Sequence, residues 1–68
     1  MNLNFELLKD CQLEENKLLG DFAKYCNQPE LTIYDAIKDG KTIGYVIKIN
    51  GEIKRFVQSY ESVINIIC

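Results

Sequence analysis

The chain has 68 residues, of which 47% are hydrophobic and 26% charged, and its formal charge is −2. That length holds one domain, and the apolar share is too high for a disordered tail. No apolar run approaches the roughly 20 residues that span a bilayer, so no membrane partner is expected.

The apolar residues are sorted by type along the chain. All 7 Leu lie between Leu3 and Leu31, whereas all 9 Ile and all 3 Val lie between Ile33 and Ile67. Leu favours helices and β-branched residues favour strands. A helical first half and a strand-bearing second half are therefore expected, in an α+β domain without repeats or linkers.

In chain order, residues 1–13 read as an N-terminal arm or short strand. Leu3, Phe5 and Leu7 alternate with Asn2, Asn4 and Glu6, a strand period, which places the strand or extended arm at 2–8. Leu7, Leu8 and Cys11 also fit helical spacing. Residues 14–26 read as a helix, with Leu18, Leu19, Phe22, Ala23 and Cys26 in one stripe and Glu14 and Glu15 at the start, where the dipole favours acids. A second helix is expected between Pro29 and Gly40. Pro29 suits a first helical position, Gly40 suits the left-handed position past the end, and Ile33, Tyr34 and Ile37 share a face. The same stretch also reads as a strand, because Ile33, Asp35 and Ile37 share a side.

Residues 43–57 read as a β-hairpin. Tyr45-Val46-Ile47-Lys48-Ile49 runs into Asn50-Gly51, a pair that tolerates the positive φ angles of a type I′ turn. The chain returns through Glu52-Ile53-Lys54-Arg55-Phe56-Val57. Residues 59–67 read as a closing helix with Ser59 as N-cap and Tyr60, Val63, Ile64 and Ile67 in one stripe. A strand competes there, given four β-branched residues.

The cysteines bear on chemistry and setting. Cys11, Cys26 and Cys68 lie 15 and 42 residues apart, and there is no His. Zinc sites use close ligand pairs, so neither a metal nor another cofactor is expected. An odd number without framework spacing reads as reduced thiols in a cytoplasmic protein, packed as small hydrophobes. Without His, a Gly-rich phosphate loop, a Ser elbow or a paired-cysteine motif, no catalytic residue can be named and no enzyme is expected. Ile, Lys and Asn supply 22 of 68 residues. Their codons are A/T-rich, which fits a phage or mobile-element gene.

Two short helices, a tight turn and a β-hairpin follow the order of a winged helix-turn-helix. Ala23, Thr32-Ile33-Tyr34, Ile37-Lys38-Asp39-Gly40-Lys41 and the hairpin tip Ile49-Asn50-Gly51-Glu52 resemble the excisionase and MerR-like DNA-binding families over residues 18–67. The resemblance implies a helix-turn-helix at 14–40, a wing at 43–57 and a C-terminal helix at 59–67. It implies double-stranded DNA as partner, held by Thr32 and Lys38 on the second helix and by Lys41, Lys48, Lys54 and Arg55 around the wing. Such small factors act in recombination or transcription by binding and bending DNA.

The departures open other readings. Asn27 replaces the turn glycine and Gln28 its apolar residue. Glu30 and Asp35 stand where the family's recognition helix carries cations. Residues 1–39 hold eight acids against four lysines, a net −4, while residues 40–68 carry a net +2. A polyanion is poorly served by that helix. The alternative is an inhibitor or antirepressor that meets a basic protein through Glu30, Asp35 and Asp39. Self-association is compatible with both. A third likeness, helix then three strands then helix, is to a double-stranded-RNA-binding domain. It requires a strand at 31–38, and it lacks that family's basic run, which is Gln58-Ser59-Tyr60-Glu61-Ser62 here.

Overall fold

The computed structural model describes residues 8–68. The arm or strand expected at 2–8 lies outside them apart from Leu8, whose carbonyl accepts from the Cys11 N–H at 3.1 Å. The described residues form an α+β unit in the order β1 (Gln12–Glu15), α1 (Lys17–Tyr25), β2 (Leu31–Lys38), β3 (Lys41–Ile49), β4 (Glu52–Val57) and α2 (Tyr60–Ile67). The strands make one antiparallel sheet in the order β1-β2-β3-β4.

The helix expected from residue 14 starts later. Asn16 is its N-cap: the Leu19 N–H donates to Asn16 Oδ1 at 3.0 Å. Glu14 and Glu15 belong to β1, opposite Asp35 and Tyr34 of β2, so they do not serve the helix dipole. Helix α1 ends in a Schellman motif. The Gln28 N–H donates to the Ala23 carbonyl (2.8 Å) and the Asn27 N–H to that of Lys24 (3.0 Å). Asn27 takes the left-handed conformation at φ 69°, which Asn tolerates at this position.

The second helix expected between Pro29 and Gly40 does not form. Residues 31–38 are strand β2, so 14–40 is a helix, a turn and a strand rather than a helix-turn-helix. The physical reason is tertiary. β2 is hydrogen-bonded on both sides, to β1 and β3, and alternates Leu31 and Ile33 into the core. Asp39 and Gly40 both have positive φ (52° and 76°) and close a two-residue hairpin between Lys38 and Lys41. Asp-Gly suits a type I′ turn as well as Asn-Gly does. The expected wing hairpin forms as β3 and β4, with Asn50 at φ 52° and Gly51 at φ 85°.

Both helices cover the same face of the sheet. Leu19 and Ala23 of α1 and Val63 and Ile67 of α2 bury against Leu31, Ile33 and Ile47. Each large aliphatic side chain buried there contributes about 1.5–3 kcal/mol. On the opposite face Ala36, Gly44 and Val46 are also buried, with Ala36 and Gly44 paired across β2 and β3. A methyl group on Gly44 would stand 2.6 Å from Phe56 Cε1 and 2.7 Å from the Val57 carbonyl oxygen. The glycine is what lets the Phe56 ring and the β4 backbone come this close.

Helix α2 starts at Ser59, whose Oγ accepts from the Ser62 N–H at 3.0 Å. Its far end is held from α1. Gln28 Nε2 donates to the carbonyls of Ile66 and Ile67, which the helix itself leaves unpaired. Cys26 and Cys68 are joined by a disulfide, their Cα atoms 5.9 Å apart. This corrects the expectation of reduced thiols, and the cytoplasmic setting inferred from them loses that support. Spacing concealed the pair, because 42 residues and the whole β2–β4 meander separate its members. No helix among the described residues is long and apolar enough to cross a membrane.

Candidate functional site

The cations expected to grip DNA are not brought together. Thr32 and Lys48 are register partners on the sheet face away from the helices, where the Lys48 ammonium lies 4.7 Å from the centre of the Tyr34 ring. Arg55 pairs with Ile47, a core residue, and so projects on the helix-bearing side at the β4 edge. Lys54 falls at the irregularity in the β3–β4 register, and its ammonium pairs with Glu52 at 3.0 Å. Lys38 and Lys41 flank the Asp39-Gly40 turn at the other end of the sheet. Seven strand steps of about 3.3 Å put Lys41 roughly 23 Å from Lys48, beyond the roughly 10 Å over which exposed charges feel one another at moderate salt.

The acidic trio is dispersed as well. Glu30 is exposed in the turn before β2. Asp39 is a hairpin residue at the far end of that eight-residue strand. Asp35 sits mid-strand, and its Oδ1 accepts from Asn16 Nδ2 at 2.9 Å. It fixes the side chain that caps α1, which gives it a structural duty. Asp35 and Asp39, four apart on the expected helix, therefore make no face. Among the described residues no three His, Cys, Asp or Glu side chains are placed to hold a metal ion.

What the fold does bring to one layer is apolar. Among the described residues the exposed large hydrophobic side chains are Leu18 (76% exposed), Tyr25 (87%) and Tyr60 (51%). All three are on the helices and none is on the sheet. Leu18 and Tyr25 are seven residues apart on α1, so they share a stripe, with half-buried Phe22 between them. Tyr60 opens α2 and leans edge-on against Tyr45, ring centres 6.0 Å apart.

Leu18 shares the helical stripe read from the sequence with Leu19 and Ala23, yet it is exposed where those two are buried. Apolar side chains at 18, 19, 22, 23, 25 and 26 cover a wider arc than one sheet contact can bury. That excess width was the signal for an outward-facing patch. Gln28, expected to weaken a turn, is instead the side chain that caps α2.

Comparison with family models, with curated proteins and with solved structures finds no match.

Proposed function

We propose that this chain is a small non-enzymatic protein-binding domain whose contact surface is the helical layer. The carrying observation is the segregation of Leu18, Tyr25 and Tyr60 onto α1 and α2. Exposed apolar side chains scattered singly need no explanation, but Leu18 and Tyr25 share one stripe of α1, and aromatic anchors are enriched at the centres of protein interfaces. Tyr is well suited to this role, since it offers a large apolar ring at low conformational cost and a hydroxyl for the wet rim. An inhibitor or antirepressor, the kind of protein that phages and mobile elements carry, fits a domain that binds without chemistry. Its contact is then the Leu18–Tyr25–Tyr60 surface rather than Glu30, Asp35 and Asp39.

The test is capture from a lysate of the source cells on the immobilised chain. Leu18→Ser with Tyr25→Ser should lose a discrete protein that the wild type retains. Lys54→Ala with Arg55→Ala should retain it. Equal capture by both variants, or a partner released by nuclease, would overturn the reading.

A second reading keeps duplex DNA as ligand, and the adjacency of Thr32 and Lys48 favours it. It no longer has the helix that a winged helix-turn-helix places in the major groove, because those residues are β2. The order α1-β2-β3-β4-α2 is also the order of the double-stranded-RNA-binding likeness. There α2 opens with Glu61 in its first turn and no cation, so the phosphate grip of that family has no counterpart here.

A further inference from the structure

We propose that the Cys26–Cys68 disulfide is a redox latch on α2, whose reduction frees the last turn of that helix from α1 while the sheet stays folded. The bond joins two helix ends: Cys26 is the C-cap of α1 and Cys68 that of α2. Neither cysteine lies in a strand. The sheet has its own ladders and two tight hairpin turns, and its Ile33 and Ile47 are covered by Leu19 and Ala23 of α1 as well as by α2.

Helix α2 has no such independence. It has eight residues, whereas isolated helices need about 12–15 to be even marginal in water. Its first turn is fixed by the Ser59 cap and by the Tyr60–Tyr45 contact. Its last turn is packed into the core by Ile67 and tied to the end of α1 by two links, the disulfide and the Gln28 amide. Both links start from the same Schellman turn, so opening the covalent one leaves one neutral side-chain donor and the packing of Ile67 to hold that turn.

Cys68 is exposed and Cys26 half-buried, so the accessible partner for exchange is Cys68. The reductant is a dithiol. Its thiolate attacks the Cys68 sulfur, forms a mixed disulfide and expels Cys26 as a thiolate, which takes a proton. The second thiol then attacks the reductant's own sulfur, closes its disulfide and releases Cys68, which is protonated in turn. Two electrons pass from the dithiol to the pair. The consequence for binding rests on the protein-binding reading, because the latch joins the helices that carry Tyr25 and Tyr60.

Hydrogen exchange tests the latch without any partner, so its failure and the failure of the binding reading are separable. The full chain is equilibrated in dithiothreitol buffers from oxidised to reduced, and alkylation counts the thiols released. On reduction, amides of Ile64–Cys68 should exchange at least about tenfold faster, which is 1.4 kcal/mol of lost protection, while those of Ile33 and Ile47 stay protected. Cys26→Ser with Cys68→Ser should reproduce this pattern without reductant. Unchanged exchange in α2 overturns the proposal. Loss of the sheet in step with α2, in the reduced wild type or in the double variant, overturns it too, since the bond is then a staple of the whole fold. A bond that persists in a large excess of reduced dithiol has the same effect.

Discussion

Asn16 performs two tasks with one side chain, and replacing it by Asp separates them. Its Oδ1 caps α1 through the Leu19 N–H, and its Nδ2 donates to Asp35 Oδ1 at 2.9 Å. At an ordinary N-cap, Asp and Asn are near equals. Here Asn16→Asp keeps the cap acceptor but sets two carboxylates where an amide had met one. The lost bond to an ionised acceptor is worth about 1.5–3 kcal/mol at most, and half-exposed Asp35 recovers part of that from water. Like-charge repulsion at this separation adds about 1 kcal/mol in a watery setting. A net loss of about 2 kcal/mol follows, or roughly 8–16 °C in Tm for a domain of this size. Asn16→Ala should cost a similar amount by losing the cap. Asp35→Ala should cost about 1 kcal/mol and should abolish most of the penalty of Asn16→Asp. The assay is thermal and urea unfolding of the four proteins as a double-mutant cycle. An Asn16→Asp variant as stable as the wild type would refute the assignment of Asp35 to the cap.

Three further outcomes follow from the geometry. Gly44→Ala should cost about 1–3 kcal/mol by overpacking, read as a lowered urea midpoint. Adding Phe56→Leu should restore only part of it, because the Val57 carbonyl, 2.7 Å away, is backbone. Gln28→Glu should destabilise more than Gln28→Ala in thermal melts, since a carboxylate then faces the carbonyl end of α2; equal stability of wild type and Gln28→Glu would remove the cap. Titration against random duplex DNA should show a shallow salt dependence. A log–log slope near −3.6, about four phosphates neutralised together, would mean that the dispersed cations act as one patch.

The sequence was most legible where chemistry was local. Asn50-Gly51 announced a hairpin because few other structures want two adjacent positive φ angles, and Ser59 announced α2 because its hydroxyl meets an N–H three residues on. Gly40 was ambiguous for a physical reason: a left-handed glycine serves both a helix C-terminus and a type I′ turn, and the preceding Asp39 decides between them only once β3 lies alongside β2. Pro29 then reinforced the wrong choice. Strand β1 was invisible, since Gln12-Leu13-Glu14-Glu15 has little β propensity and exists by pairing with Ile37 to Tyr34. The candidate site was least legible. Its cations were near in sequence but are divided by strand alternation and by strand length. Its anchor Leu18 fell in the same stripe as buried Leu19 and Ala23 because a helical wheel shows which residues share a face, not how much of that face is covered, and Tyr25 lay outside the stripe read from the sequence.

Photo-crosslinking from single positions tests the protein-binding surface most directly. A benzophenone side chain placed at Tyr25 or at Tyr60 should form the same covalent adduct with one protein in the source cells. The same group at exposed Thr42, on β3, should form none. An adduct from Thr42 with none from Tyr25 or Tyr60 would contradict the assignment of binding to the helical layer.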